Sequence, residues 1–188
     1  MRWLLSIVLC SAVMVSNVYA AAPDKPRDGG ARVRPQDARS IQLMREGMAR
    51  SETFRVLVER LEASNVFVYV EVSRFLKSSL SGKLIWMTQA GPYRYLRATI
   101  SSDQTGNQSI AALAHELQHA VEVMDDELVV NEKTLVSLYQ RIGQKSSAAV
   151  ASGWETIAAQ EAGYRVRREL VESTGALMAA RLLESGHQ

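Results

Sequence analysis

The chain has 188 residues, of which 47% are hydrophobic, and its formal net charge is +2 at pH 7. This length is sufficient for one domain with a hydrophobic core of its own. The nearly balanced charge, without a basic cluster, argues against a nucleic-acid partner and gives no indication of binding to a membrane surface.

The N-terminal segment has the pattern of a secretory signal peptide. The apolar run Trp3–Val15 follows a basic residue, and Val18 and Ala20 supply the small side chains that a cleavage site requires. A run of thirteen residues is too short to span a hydrocarbon core of about 30 Å, so we expect cleavage after residue 20 rather than a membrane anchor. The mature chain is then secreted or periplasmic, leaves the membrane after cleavage, and loses its single cysteine, Cys10. Its fold must therefore rely on packing instead of disulfides.

The next segment, residues 21–39, contains three prolines and the pair Gly29-Gly30 but almost no large apolar side chains. Such a composition cannot bury enough surface to offset the entropy of ordering the chain. We therefore predict a disordered lead-in at 21–39 and a folded domain over 40–185.

Two short helical patterns open this domain. Met44 and Met48 have helical spacing in the first, where we interpret them as core filler. Ser51 is a suitable N-cap for the second helix. The apolar residues of that helix follow helical periodicity and are Phe54, Leu57, Val58 and Leu61.

Three segments with alternating or apolar character follow and predict strands: Asn65–Val72, Gly82–Thr88 and Tyr93–Ile100. The short turn at Gly91-Pro92 requires the last two to be antiparallel. We therefore expect an α+β fold with a small antiparallel sheet of about three strands. The strand Tyr93–Ile100 is a candidate edge onto which an extended peptide could add.

The motif H-E-x-x-H occurs at His115, Glu116 and His119, within a stretch of helical apolar periodicity. Because a helical turn has 3.6 residues, the two imidazoles project from the same face and can share one Zn²⁺. Glu116 is rotated by about 100° from His115, so it can accept a proton from a water on the open side of the metal. The alternative is a surface glutamate flanked by two hydrogen-bonded histidines.

The residues from His115 to Val121, HELQHAV, resemble the zinc-binding helix of the gluzincin metallopeptidases, including the thermolysin-like ones. The layout is also similar to that of small secreted bacterial zincin-like proteins. This short match implies a zinc site and a minimal zincin-like fold, with a metal helix beside the sheet and further helices packed around both. It implies no particular substrate.

A catalytic zinc usually has three protein ligands, so one further donor is needed. Gluzincins take a glutamate from a later helix, and the long helix predicted over Ser152–Leu170 offers Glu155 and Glu161. Glu155 shares a small apolar helix face that can approach the metal helix, whereas Glu161 lies on a charged face, which makes it the reserve ligand. The alternative for Glu155 is a capping box with Ser152. Asp125 is interpreted as a solvated helix end.

These residues predict a zinc-dependent metallohydrolase that acts on a peptide or protein substrate, with His115, His119 and Glu155 as ligands and Glu116 as general base. The alternative is a zinc-binding interaction or structural module without activity. The oligomeric state is open.

Peptide hydrolysis also needs a donor to the developing oxyanion. The candidates, among which the sequence does not choose, are Tyr93, Tyr139, Tyr164 and Arg165.

Overall fold

A computed structural model describes residues 30–76, 79–145 and 153–185 of the chain. The predicted signal peptide, residues 1–20, and the first part of the lead-in, residues 21–29, lie outside the described residues. The described part is an α+β structure with a four-stranded mixed sheet and a separate two-stranded one, which confirms the predicted fold class at that level.

The described residues form five helices. They are α1 (Ala38–Arg50), α2 (Glu52–Glu62), α3 (Gly106–Asp125), α4 (Glu132–Ile142) and α5 (Ile157–Ser185). The Ser51 side chain accepts a hydrogen bond from the Phe54 amide, which confirms the predicted N-cap of α2. None of the helices in the described ranges combines the length and hydropathy that crossing a membrane demands.

The larger sheet consists of β1 (Val33–Pro35), β2 (Val66–Ser73), β3 (Gly82–Ala90) and β4 (Tyr93–Ser101), in the order β1-β2-β4-β3. The turn at Gly91, with φ of 55°, makes β3 and β4 antiparallel as predicted. However, β2 pairs in parallel with both β1 and β4, so the expectation of an antiparallel sheet was wrong. The hairpin is set by a local turn, whereas the direction of β2 depends on how the chain crosses over the helices.

The position of β4 also corrects an expectation. This strand lies between β2 and β3, so both of its sides are hydrogen-bonded and it cannot accept an added peptide. The edge strand that follows it in the sheet is β3. The β3–β4 hairpin joins the rest of the sheet by pairing β4 with β2. The strand of the hairpin with the more deeply buried side chains, β4, therefore lies inside the sheet, and β3 lies at its edge.

The segment 30–39 is ordered, which contradicts the disordered lead-in predicted for this part. Val33 is buried, and the amides of Arg32 and Val33 donate hydrogen bonds to the Glu62 carboxylate. The guanidinium of Arg32 lies 4.2 Å from the centre of the Phe67 ring. One buried apolar side chain, these hydrogen bonds and pairing with β2 together offset the entropy that composition alone suggested could not be recovered.

One face of the sheet packs against α1, α2 and α3 to form the core. The fully buried side chains of this layer alternate along β2 and β4, as predicted for period-two strands, and are Val66, Val68, Val70, Leu96, Ala98 and Ile100. From α3 they meet Ile110, Leu113 and Leu117. This packing fixes which side of α3 faces the sheet and leaves the histidine-bearing side to the cleft beside β3.

Helix α5 begins later than predicted. Gln144–Lys145 (β5) and Trp154–Glu155 (β6) pair as a small antiparallel ribbon, and Thr156 caps the helix by accepting a hydrogen bond from the Ala159 amide. Glu155 therefore lies on a strand and not on the predicted helix. Ser152, its partner in the alternative capping box, lies outside the described residues.

A carboxylate fastens α5 to the start of α2. Glu169 accepts hydrogen bonds from the Ser51 hydroxyl and from the amide and hydroxyl of Thr53. Partial burial raises the pKa of Glu169, but these hydrogen bonds outweigh it, so the pKa lies below its ordinary value. The interaction holds the helix that follows Glu155 against the rest of the domain.

Candidate metal centre

The two histidines of the motif lie on one side of α3, as the sequence predicts. Their ring centroids are 4.8 Å apart, and the rings are nearly perpendicular. His119 is buried, with 5% of its surface exposed, while His115 lies nearer the cleft with 19% of its side chain exposed. One helical turn therefore presents two imidazoles to a common point.

Glu155 approaches these rings from β6. Its Oε2 atom lies 3.1 Å from Nε2 of His115, and ligand atoms of His115, His119 and Glu155 all lie within 4.8 Å of one another. The predicted convergence is thus confirmed, although the residue reaches the site from a strand. Glu155 is the last residue of β6, and the next residue is the N-cap of α5. The packing of α5 against the domain therefore still determines the position of Glu155.

The close approach of α5 to α3 was predicted from small residues, and the structure contains it. Ala159 and Ala162 are buried, and a β-carbon at Gly163 would lie 3.3 Å from the carbonyl oxygen of Ala111 and 3.6 Å from Cβ of His115. A larger side chain at this position would separate the two helices. The small side chains on this face of α5 therefore allow the start of the helix, which follows Glu155, to lie close to the histidines.

Charge and burial act in opposite directions on the paired groups. Burial lowers the pKa of His115, but the hydrogen bond to Glu155 and nearby glutamate charges outweigh it and raise the pKa above its ordinary value. The hydrogen bond with His115 holds the pKa of Glu155 below its ordinary value. A cation would require an ionised carboxylate, which is the form favoured at Glu155, and a neutral imidazole at His115, so its binding would compete with protonation of His115.

Glu116 lies beside the edge strand β3. The residue is 5% exposed, and a β-carbon at Gly82 would come within 2.7 Å of its Oε1 atom. Burial raises the pKa of Glu116, and the imidazoles of His119 and His115 oppose this only in part. The absence of a side chain at Gly82 is therefore what allows the carboxylate to occupy this position.

Sequence reasoning missed Glu122. This buried residue follows His119 by three positions, and its Oε2 atom lies 2.8 Å from Nδ1 of His119. Its other oxygen accepts a hydrogen bond of 2.5 Å from the Thr156 hydroxyl. The signal was present in the sequence, because residues three apart share a helix face.

The other acidic candidates lie elsewhere. Glu161 is exposed on α5 and lies 3.4 Å from Arg165, which agrees with its assignment to a charged face. Asp125 lies at the end of α3 and pairs with Arg60 at 2.9 Å on the surface. Neither belongs to the cluster formed by the described donors.

Of the four candidate oxyanion donors, Tyr139 alone lines the cleft. Its hydroxyl donates to the carbonyl oxygen of His119 at 3.3 Å, and burial raises the pKa of Tyr139 well above its usual range. Tyr164 is 68% exposed, and Arg165 pairs with a surface glutamate. Tyr93 packs edge-on against Phe67 at the far end of β4.

The cluster opens into a cleft of about 630 Å³. Leu84 and Trp86 of β3 form one wall, and Leu135 and Val136 of α4 form the other, while the site residues described above lie between them. The cleft is therefore bounded by an edge strand and a helix, with an apolar lining around a small group of ionisable side chains. Such a combination is typical of sites for small molecules and peptides.

No family model, curated protein or solved structure matches this chain. The chemistry of the donors is suited to a divalent cation, since two imidazoles and one carboxylate form a common ligand set that leaves a coordination position open. Ligands about 2.1 Å from one tetrahedral ion lie about 3.4 Å apart, compared with 3.1 Å between His115 Nε2 and Glu155 Oε2 and at most 4.8 Å between any two donors of this cluster. His115, His119 and Glu155 can therefore hold a metal ion with small side-chain adjustments.

Proposed function

We propose that this chain is a secreted or periplasmic zinc metallopeptidase of the gluzincin type. The observation that carries the proposal is the convergence of His115, His119 and Glu155 beside the buried Glu116 at the edge of a cleft. Histidine and carboxylate ligands suit Zn²⁺, and a site that only stabilises the fold has no use for a further buried acid at Glu116.

The fold is consistent with a minimal zincin-like domain. The metal helix α3 packs under the sheet, the edge strand β3 passes beside Glu116, and a later element supplies the third donor. This departs from the gluzincin pattern at Glu155, which precedes its helix instead of projecting from it. The third metal ligand is therefore supplied by a strand instead of a helix, but the set of donors, two histidines and one glutamate, is the same.

In this proposal each polar residue has a separate task. Zn²⁺ held by His115, His119 and Glu155 would supply Lewis acidity, which would lower the pKa of a water at the open position toward about 7. Glu116 accepts a proton from the attacking water and delivers it to the leaving amine.

The substrate would bind along β3. This edge strand lines the cleft, so an extended peptide can add to it through main-chain hydrogen bonds while its side chains contact Leu84 and Trp86. The facing wall, Leu135 and Val136, is apolar as well. We therefore propose a peptide or protein substrate with an apolar side chain near the bond that is cleaved.

The proposal is tested by separating metal binding from chemistry. Purified protein should contain one zinc per chain and hydrolyse casein or members of a peptide library. Glu116→Gln preserves the shape of the side chain but not its basicity, so it should keep zinc and lose hydrolysis by at least a factor of about 100. Glu161→Gln, a matched change on an exposed face, should alter neither.

Full activity in Glu116→Gln would refute the assigned mechanism. Stoichiometric zinc in a wild type that hydrolyses none of the library would instead favour the non-catalytic zinc module.

A further inference from the structure

We propose that Glu122 and Thr156 are a positioning pair that orients His119 for metal binding and ties that orientation to the docking of α5. The inference rests on the proposed function, because it concerns the same metal site. It assigns a role to two buried residues that do not themselves line the cleft.

The first contact selects one nitrogen of His119. The Glu122 carboxylate accepts only, so the His119 Nδ1 atom 2.8 Å from its Oε2 must carry the hydrogen. A neutral imidazole with the hydrogen on Nδ1 has its lone pair on Nε2, which is the atom left to face the cluster. A carboxylate in this position also makes the imidazole a better donor to a cation.

The second contact connects α3 to the start of α5. The Thr156 hydroxyl donates to the other oxygen of Glu122 at 2.5 Å, and the same Oγ1 accepts the Ala159 amide at 3.1 Å as the N-cap. Thr156 directly follows Glu155 in the chain. One continuous chain of hydrogen bonds therefore links His119 to the residue next to the third donor.

Burial makes this arrangement unlike a surface ion pair. The side chains of His119 and Glu122 are 6% and 8% exposed, and Thr156 is also buried. Hydrogen-bond geometry among largely buried groups is well defined, and the loss of one partner leaves the other groups without a replacement partner. A substitution at Glu122 should therefore alter the positions of both the His119 ring and the Glu155 carboxylate.

The test measures zinc affinity by competition with a chromophoric chelator, alongside the His119 tautomer by ¹⁵N NMR in the zinc-free protein. Glu122→Gln should weaken zinc binding by about 10–100-fold. It should also reduce the population of the Nδ1–H tautomer, which a role confined to packing would not change. Thr156→Val removes the hydroxyl and should weaken binding in the same direction, while Thr156→Ser restores both hydrogen bonds and should restore affinity.

Glu161→Gln serves as the matched control, since that glutamate is exposed on α5 and should leave affinity and tautomer unchanged. Zinc affinity and tautomer in Glu122→Gln equal to those of the wild type would overturn this inference alone. A wild type that binds no zinc would overturn the proposed function, and the wild-type tautomer would still show whether Glu122 orients His119. If Glu122→Gln does not fold, the pair Thr156→Val and Thr156→Ser decides the question.

Discussion

Replacement of Gly82 by alanine tests how closely the edge strand controls the proposed general base. Gly82 begins β3, and its backbone φ does not lie in the left-handed region, so alanine is compatible with the strand. The new methyl group would meet Glu116, whose Oε1, Cγ and Cδ atoms lie 2.7, 3.0 and 3.2 Å from the ideal β-carbon. The carboxylate, not the strand, is the part that can move.

The size of the displacement follows from these distances. The optimal separation of non-bonded heavy atoms is about 3.5 Å, so the Oε1 atom must move away from the new methyl group by about 0.8 Å. A shift of about 1 Å in a catalytic group costs about 100-fold in rate, so we expect kcat/KM to fall by about 10–100-fold. Stability should change by less than about 1 kcal/mol, because the strain of moving a side-chain end is offset by the lower entropy of the unfolded alanine variant.

The assay compares peptide hydrolysis, zinc content and thermal unfolding in Gly82→Ala with those in Gly106→Ala. A β-carbon at Gly106 would have no atom within 4 Å, so this control should keep full activity and gain up to about 1 kcal/mol in stability. Wild-type activity in Gly82→Ala, together with inactive Glu116→Gln, would refute the argument that β3 positions the base.

Three further predictions concern the metal site and the packing around it. His115→Ala and His119→Ala should each abolish stoichiometric zinc, as measured by metal analysis; equal zinc in both variants and the wild type would rule out the site. Gly163→Leu should force α5 away from α3, lowering both zinc affinity and, by about 1–3 kcal/mol, the free energy of unfolding. Gly175→Leu, in open space on the same helix, should leave zinc affinity unchanged and should raise the free energy of unfolding by up to about 1 kcal/mol, if it changes it at all. Glu169→Gln should cost about 1 kcal/mol at pH 7 in denaturant unfolding. Because the folded pKa of Glu169 is lowered from 4.5, its contribution is present above that pH and is lost as pH falls through the folded pKa, so wild type and variant should converge in acid.

The residues of the candidate site were predictable where one helix was enough to relate them. His115, Glu116 and His119 lie within five positions, so helical geometry alone fixes their relative directions. The small face of α5 was also readable, because Ala159 and Gly163 lie one turn apart. These features depend only on the spacing of residues within one helix, which the sequence shows directly.

The errors arise where local rules leave two choices open and packing decides between them. Ser152 and Thr156 both have side chains that can cap a helix, and the sequence did not show that Thr156 is the one used. In the same way, the strand pattern of β2 does not state the direction in which β4 runs beside it. Local rules identify the elements, while packing decides their limits and neighbours.

The distribution of donors among elements has a consequence for the proposed site. The histidines belong to one helix and keep their spacing whenever α3 forms, but Glu155 reaches them only when β6 and the start of α5 are docked. A cation held by all three would therefore bind the docked state more tightly than a state with α5 detached. By linkage, its binding energy must then stabilise that docking. The Thr156 hydroxyl, which joins the cap of α5 to Glu122, makes the same connection without the metal. Metal binding and the attachment of α5 are thus two coupled equilibria, so a change that weakens one should weaken the other.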